Sequence, residues 1–260
     1  AVTSHSQTMR IFLIFIFLCQ NAFAGSSSLT FGGATSNRVL QGSGSSIDNL
    51  NPVTWMLRIF PTVFTADRMI LDKATSGESG HRVRISGTAG ALQVVFDRAT
   101  TDTLFVTNSI LRSNFWQDLV VVFDSNEETN EAVQVYYKYS TGSFLTEATY
   151  TTTTNGSGAM QSDAANNLII GNSGGLTSSF QGQIEWVGIW NRKVKDLSEA
   201  VEQFRVVTAS GNVLDVHYGM HGSSAAGVQE DWSGNANKGG VIGPVGSLNG
   251  PPISILGGPY

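Results

Sequence analysis

Side-chain oxygens crowd at two places in this 260-residue chain, Asp124-Asn126-Glu128 and Asp231-Asn235-Asn237. Calcium takes roughly six to eight oxygen ligands from such carboxylates and from carbonyls, so both clusters are cation candidates, with Asp124 and Asn126 foremost. The same residues also describe a solvated hairpin and a turn whose side chains bond their own backbone. His217 and His221 stand four apart. On a strand that spacing spans ~13 Å, too far to share one ion, and Gly219 and Gly222 argue against a helix there. Glycoside hydrolysis needs a facing pair of carboxylates. Strand-like runs offer none, because Glu185 stands alone on its run, and Glu127, Glu128 and Glu131 share a loop. The chain therefore reads as a binding protein and not as an enzyme. A formal charge of −5 without a basic patch argues against nucleic acid. Tryptophan rings that stack on sugar faces offer another chemistry. Trp55, Trp116 and Trp190 fall in or at the end of apolar runs and read as core, whereas Trp232 lies in a Gly-Asn turn and is a candidate ligand platform.

The elements that must position these residues are short strands. Val53–Phe60, Ala91–Phe96, Ala132–Tyr139 and Gly182–Trp190 are rich in β-branched and aromatic residues, and Arg82–Ile85 alternates polar with apolar at period two. Trp116–Phe123 is nearly all apolar and reads as a central strand, and Asn167–Gly171 completes the series. Gly, Asn, Ser and Asp clusters separate them, at the spacing of a sandwich or barrel. One helix is expected near the C-terminal third, over Leu197–Arg205. Asp196 caps it with Glu199 three residues on, and Leu197, Val201 and Phe204 share one face.

Met9-Arg10, the apolar run Ile11–Leu18 and Ala22-Phe23-Ala24 describe a cleavable secretory signal, with residues 1–8 upstream of the start. Eight apolar residues span ~12 Å as a helix, short of a ~30 Å hydrocarbon core, so no stable membrane span is expected once the signal is removed. Cleavage also removes Cys19, the only cysteine. The core must then stabilise the mature domain without disulfides, and the protein is expected to be secreted or held at the cell surface. The organisation expected is residues 1–24 as leader, 25–247 as the domain, and 248–260, rich in Gly and Pro, as an extended or disordered tail.

Several stretches carry a resemblance by their order. They are Leu29–Gly33, Val53-Thr54-Trp55 with Met69–Lys73, Phe115–Asp124, Leu168–Gly171 with Phe180–Glu185, and Trp190-Asn191. Together they resemble the concanavalin A-like superfamily, in its laminin-G-like branch related to the pentraxins, over about Leu29–Phe204. The resemblance implies an all-β, antiparallel jelly-roll β-sandwich of two sheets that binds glycans or matrix and cell-surface ligands, often with calcium. It places Glu185 near a structural calcium beside the Gly32-Gly33 turn, making Glu185 and Gly33 further metal candidates. It also puts Trp186 at a usually acidic, outward position, making it the second platform candidate beside Trp232. Val213–Tyr218 and Asp231–Gly239 resemble elements that precede the family's opening strand. Either the domain is permuted, with residues 213–243 completing the sheet, or a truncated second domain begins there; the usual proximity of chain ends favours the first. The function expected is a non-catalytic glycan-binding or adhesion module. A structural subunit that self-assembles in an extracellular fibre, cell surface or phage particle is the alternative, and a glycosidase of the same fold comes third.

Overall fold

In the computed structural model the described residues are 27–65, 67–74, 80–87, 89–127, 131–140, 145–193, 211–217, 228–229, 231, 233–243 and 246–249. Period-two alternation and β-branched residues place them in two sheets in which every strand pair is antiparallel. The first sheet runs β10 (Thr146–Glu147), β9 (Val133–Tyr139), β8 (Gln117–Phe123), β3 (Val53–Pro61), β13 (Gln181–Trp190), β1 (Ser27–Gly32) and β17 (Gly246–Asn249), with β14 (Asn212–His217) also on β13. The second runs β11 (Tyr150–Thr154), β7 (Thr103–Ser109), β6 (Ala91–Phe96), β5 (Gly80–Ser86), β4 (Arg68–Ala74), β12 (Leu168–Ile170), β2 (Arg38–Gly42), β16 (Gly239–Ile242) and β15 (Val228–Gln229).

The inward faces of both sheets make one core. Leu57, Leu119 and Val121 of the first sheet share it with Val39, Val83 and Val94 of the second. At one end the interior is aromatic: Phe96 stacks on Phe123 at 3.7 Å between ring centres and on Trp55 at 5.0 Å. This is the two-sheet jelly-roll sandwich expected from the sequence. Among the described residues none is helical, and Leu197–Arg205 lies outside them.

β13 organises the first sheet. Its first half pairs with β1 (Leu29 opposite Ile184) and its second half pairs with β14 (Val216 opposite Val187), so the two lie end to end along one side of a ten-residue strand. β16 adds to β2 with Val241 opposite Val39, and β17 adds to β1 with Leu248 opposite Ser28. Residues 212–249 thus contribute strands to both sheets, and Leu248, read as the start of the tail, is paired.

Opposite β3, β13 carries a bulge at Glu185. Ile184 faces Ile59, but Trp186 faces Arg58. One extra residue shifts the side-chain phase by half a period. Ile184, Val187 and Ile189 therefore point into the core, while Trp186 and Trp190 point to the opposite face.

Candidate functional site

The loop leaving β2 and the loop entering β16 face each other, because those strands are antiparallel neighbours. Between them lies an open cleft of about 430 Å³, within the range of small-molecule sites. Ser43, Ser45 and Asn235 stand exposed in its walls, with Lys238 beside them and Gln41 within. The walls are held by a short polar chain. The Asn237 Nδ2 donates to the Ser46 Oγ at 2.9 Å and to the Val213 carbonyl at 2.7 Å, tying both loops to β14. The Asp231 carboxylate accepts from the Ser233 backbone N–H and from the Asn237 backbone N–H, each at 2.9 Å. The Asp231-Asn235-Asn237 cluster is thus a self-bonded turn, and its work is to shape the cleft.

Gln41 is 3 % exposed, and neither Oε1 nor Nε2 has a hydrogen-bond partner. A buried amide without partners is costly and calls for an explanation. Nothing in the sequence around Arg38–Gly42 marks this glutamine: it follows Val39-Leu40 in a short run, and only the pairing of β2 with β16 brings it to the cleft.

The residues singled out from the sequence fall elsewhere. Trp186 does face away from the inter-sheet core, but it is only 4 % exposed. It packs with Trp190, Met56, Val120, Val122 and Leu145 in a second apolar layer, with Tyr136 against it. An indole so covered is no platform for a ligand, and the reading of Trp186 as one is corrected. Trp232 lies outside the described residues. The side chain of His217 and all of His221 do as well.

At the places nominated for calcium the described carboxylates are engaged otherwise. The β1–β13 register puts Gly32 opposite Gln181, so the Gly33 turn and Glu185 are separated by about four residues of strand, ~13 Å. The Glu185 Oε2 instead lies 2.8 Å from the Arg58 Nε. Asp124 Oδ1 accepts from the Asn126 backbone N–H at 2.9 Å and from its Nδ2 at 3.2 Å, which closes a turn on itself. Glu128 lies outside the described residues. Among the described residues no three His, Cys, Asp or Glu side chains converge as a metal site.

The structure gathers two buried charged groups that strand pairing alone reveals. On the outer face of the first sheet Arg58 bridges Glu185 and Asp118, the latter at 3.3 Å. Burial raises the Asp118 carboxyl, and Arg58 and Lys138 pull it back down. Glu185 is therefore not alone, but both carboxylates are engaged by one guanidinium. Inside the sandwich the Lys73 Nζ meets Asp48 at 2.8 Å and Asp163 at 3.1 Å, and donates to the Asp163 carbonyl at 3.0 Å. His81 Nε2 lies 3.5 Å from the other Asp163 oxygen. Burial among aromatic rings lowers His81 to about 4, against the pull of Asp163, so at neutral pH this contact is made by a neutral imidazole and is not a salt bridge. Asp163 also exchanges hydrogen bonds with Asn49, at 2.7 and 3.1 Å. This group pins the 43–52 loop to the segment before β12, and so supports one wall of the cleft.

No family model matches the sequence, and no curated protein matches it. Among solved structures, one from Bacteroides ovatus, provisionally designated a carbohydrate-binding protein, superposes with a TM-score of 0.61 at 14 % identity, over 89 % of this chain and 62 % of that one. This chain thus spans less than two thirds of that protein's length. A heptameric SAP-like pentraxin from Limulus polyphemus superposes at 0.47 and 11 % identity (68 % of this chain, 81 % of that one), and the LG4-5 domains of the mouse laminin α1 chain at 0.44 and 14 % (67 % and 44 %). At such identities the likeness is one of fold alone, a two-sheet jelly roll.

Proposed function

We propose that the chain is a non-catalytic carbohydrate-binding module and that the cleft between the 41–46 and 235–238 loops takes the glycan. The observation that carries the reading is the chemistry of the cleft: hydroxyls and carboxamides wall it beside one lysine, and Gln41, whose buried amide has no partner, is among its lining residues. A sugar presents uncharged donors and acceptors, which such a wall matches. The carbohydrate-binding designation of the Bacteroides ovatus protein that shares the fold supports this. Export belongs to the same reading, supported by the charged start, apolar run and Ala-x-Ala ending of Met9–Ala24.

Affinity electrophoresis of the purified chain through gels containing xylan, mannan or β-1,3-glucan tests this, with calcium and with a chelator. Retardation by at least one polysaccharide is expected, and Ser45→Trp, at an exposed wall position, abolishes it without changing Tm. Unretarded migration on every gel, or retardation untouched by Ser45→Trp, overturns it.

A second reading, assembly into an extracellular fibre, is favoured by one edge. β11 ends the second sheet with Thr151, Thr152 and Thr153 exposed, and neither Lys nor Pro guards it against pairing with another chain. An apparent mass by light scattering that grows with protein concentration would favour this reading; a monomer mass at all concentrations would remove it.

A further inference from the structure

We propose that Gln41 reads a pair of free vicinal hydroxyls on a neutral sugar. The proposal rests on the carbohydrate reading of the cleft and narrows its ligand. Gln41 follows Val39 on the inward side of β2, and the β2–β16 register, continued by one residue, sets it beside Gly239. A Cβ added to Gly239 would lie 2.2 Å from the Gln41 Oε1 and 2.8 Å from its Nε2. The carboxamide therefore lies flat over the glycine, in space that any other residue would fill. On the far side of Gly239, β15 places Gln229 opposite it, 1 % exposed and also without a partner for either amide atom. Two neutral amides stand unsatisfied on either side of Gly239, and of these two residues Gln41 is the one that lines the cleft.

A carboxamide presents its C=O and one N–H side by side. Gauche vicinal hydroxyls of a pyranose present an oxygen and an O–H in the same way, one accepting from the Nε2–H and the other donating to Oε1. An N-acetyl group does not: its trans amide points N–H and C=O in opposite directions, so one carboxamide engages only half of it. A carboxylate brings two acceptors and no donor, which leaves Oε1 facing an acceptor. The match is a neutral sugar residue whose adjacent hydroxyls are free.

The test uses the whole chain on affinity gels of xylan, mannan, the same two after periodate oxidation, and linear β-1,3-glucan. Periodate cleaves vicinal diols, and the β-1,3-glucan backbone contains none. Xylan or mannan is expected to retard the chain, and oxidation to weaken that at least tenfold, with no retardation by β-1,3-glucan. Gln41→Leu, which removes the amide but keeps the bulk, weakens binding at least tenfold while Tm stays level or rises. Gly239→Ala, which evicts the amide from its bed, also weakens binding and stands in if Gln41→Leu does not fold. Retardation that survives periodate or either variant, or that is as strong on β-1,3-glucan, overturns this proposal and leaves the carbohydrate reading intact. Lowered Tm with retained binding in Gln41→Leu shows that Gln41 and Gln229 serve each other, and also overturns it. Absence of retardation on all five gels defeats the carbohydrate reading itself.

Discussion

Trp186 and Trp190 meet edge to face on the outer side of the first sheet, with ring centres 5.9 Å apart and planes at 63°. The contact exists because Gly188, between them on the same face, has no side chain: a Cβ there would lie 2.4 Å from the Trp190 ring and 2.8 Å from that of Trp186. Gly188→Ala overpacks this layer and is expected to cost about 1–3 kcal/mol in urea denaturation. Trp186→Ala leaves a cavity and is expected to cost about 3–5 kcal/mol, with polysaccharide retardation unchanged. Lost retardation in a folded Trp186→Ala would return that indole to the ligand.

Which parts were legible follows from the same physics. Ala91–Phe96 was bounded correctly because Leu92, Val94 and Phe96 alternate cleanly with less buried residues. Gln117–Phe123, buried on both faces, declares itself by the apolar run Leu119–Phe123. Tyr150–Thr154 was missed as a strand because a run of exposed threonines at an edge carries no alternation. Arg38–Gly42 and Thr103–Ser109 escape the pattern too, because polar Gln41, Thr103 and Thr107 take buried positions while Leu40, Leu104 and Val106 lie on the less buried face. The bulge at Glu185 puts Trp186 out of phase with the sequence pattern; the resemblance supplies its outward orientation, but its covering depends on residues from other strands that no local pattern marks. The cleft was illegible for a plainer reason: Gln41 and Asn237 are 196 residues apart in number and meet only through strand pairing.

Asn237 joins three parts of the chain, and its loss isolates the segment that completes the sheets. Its Nδ2 bonds Ser46 and the Val213 carbonyl, and the residue is 8 % exposed. Asn237→Ala leaves a buried carbonyl and a hydroxyl short of a partner, and is expected to cost about 1–3 kcal/mol in chemical denaturation. Asn237→Asp keeps the shape but loses the donors and sets a second carboxylate beside Asp231, so it is expected to destabilise at least as much. An Asn237→Asp protein as stable as the parent would show that these bonds contribute nothing.

His81 gives the fold an acid-sensitive term. Its imidazole is held neutral by burial beside Trp55, Phe96 and Phe123, at about 4 in place of 6.5, with Lys73 and Arg82 lowering it further and Asp163 opposing. The unfolded chain takes up a proton as pH falls below 6.5, and the folded chain does so only near 4. The stability from neutral His81 is therefore fully present above pH 6.5 and is lost as pH falls through that window, by about 3 kcal/mol. In His81→Gln this loss disappears, and denaturation midpoints at pH 7 and pH 4.5 draw closer or cross. An unchanged pH profile would show that the imidazole is not held neutral.

Asp72 acts with the opposite sign in nearly the same window. Burial raises its carboxyl from 3.8 to about 6, although the Gly174 N–H (2.7 Å from Oδ2) and Arg82 draw it down, and Oδ1 has no hydrogen-bond partner. The folded chain then holds a proton that the unfolded chain has released, so Asp72 favours folding below pH 3.8, and that contribution is lost as pH rises through 6. Above pH 6 the buried carboxylate costs about 3 kcal/mol relative to a group that does not titrate. Asp72→Asn keeps an acceptor for Gly174 and carries no charge. It is expected to stabilise the protein by about 2–3 kcal/mol at pH 8 and to change little at pH 4. Because His81 and Asp72 oppose each other between pH 4 and 6, the parent protein is expected to show a flat profile there. Asp72→Asn then exposes the His81 slope, with stability falling steadily as the solution is acidified. A gain of equal size at pH 4 and pH 8 would mean that the carboxyl is not the titrating group.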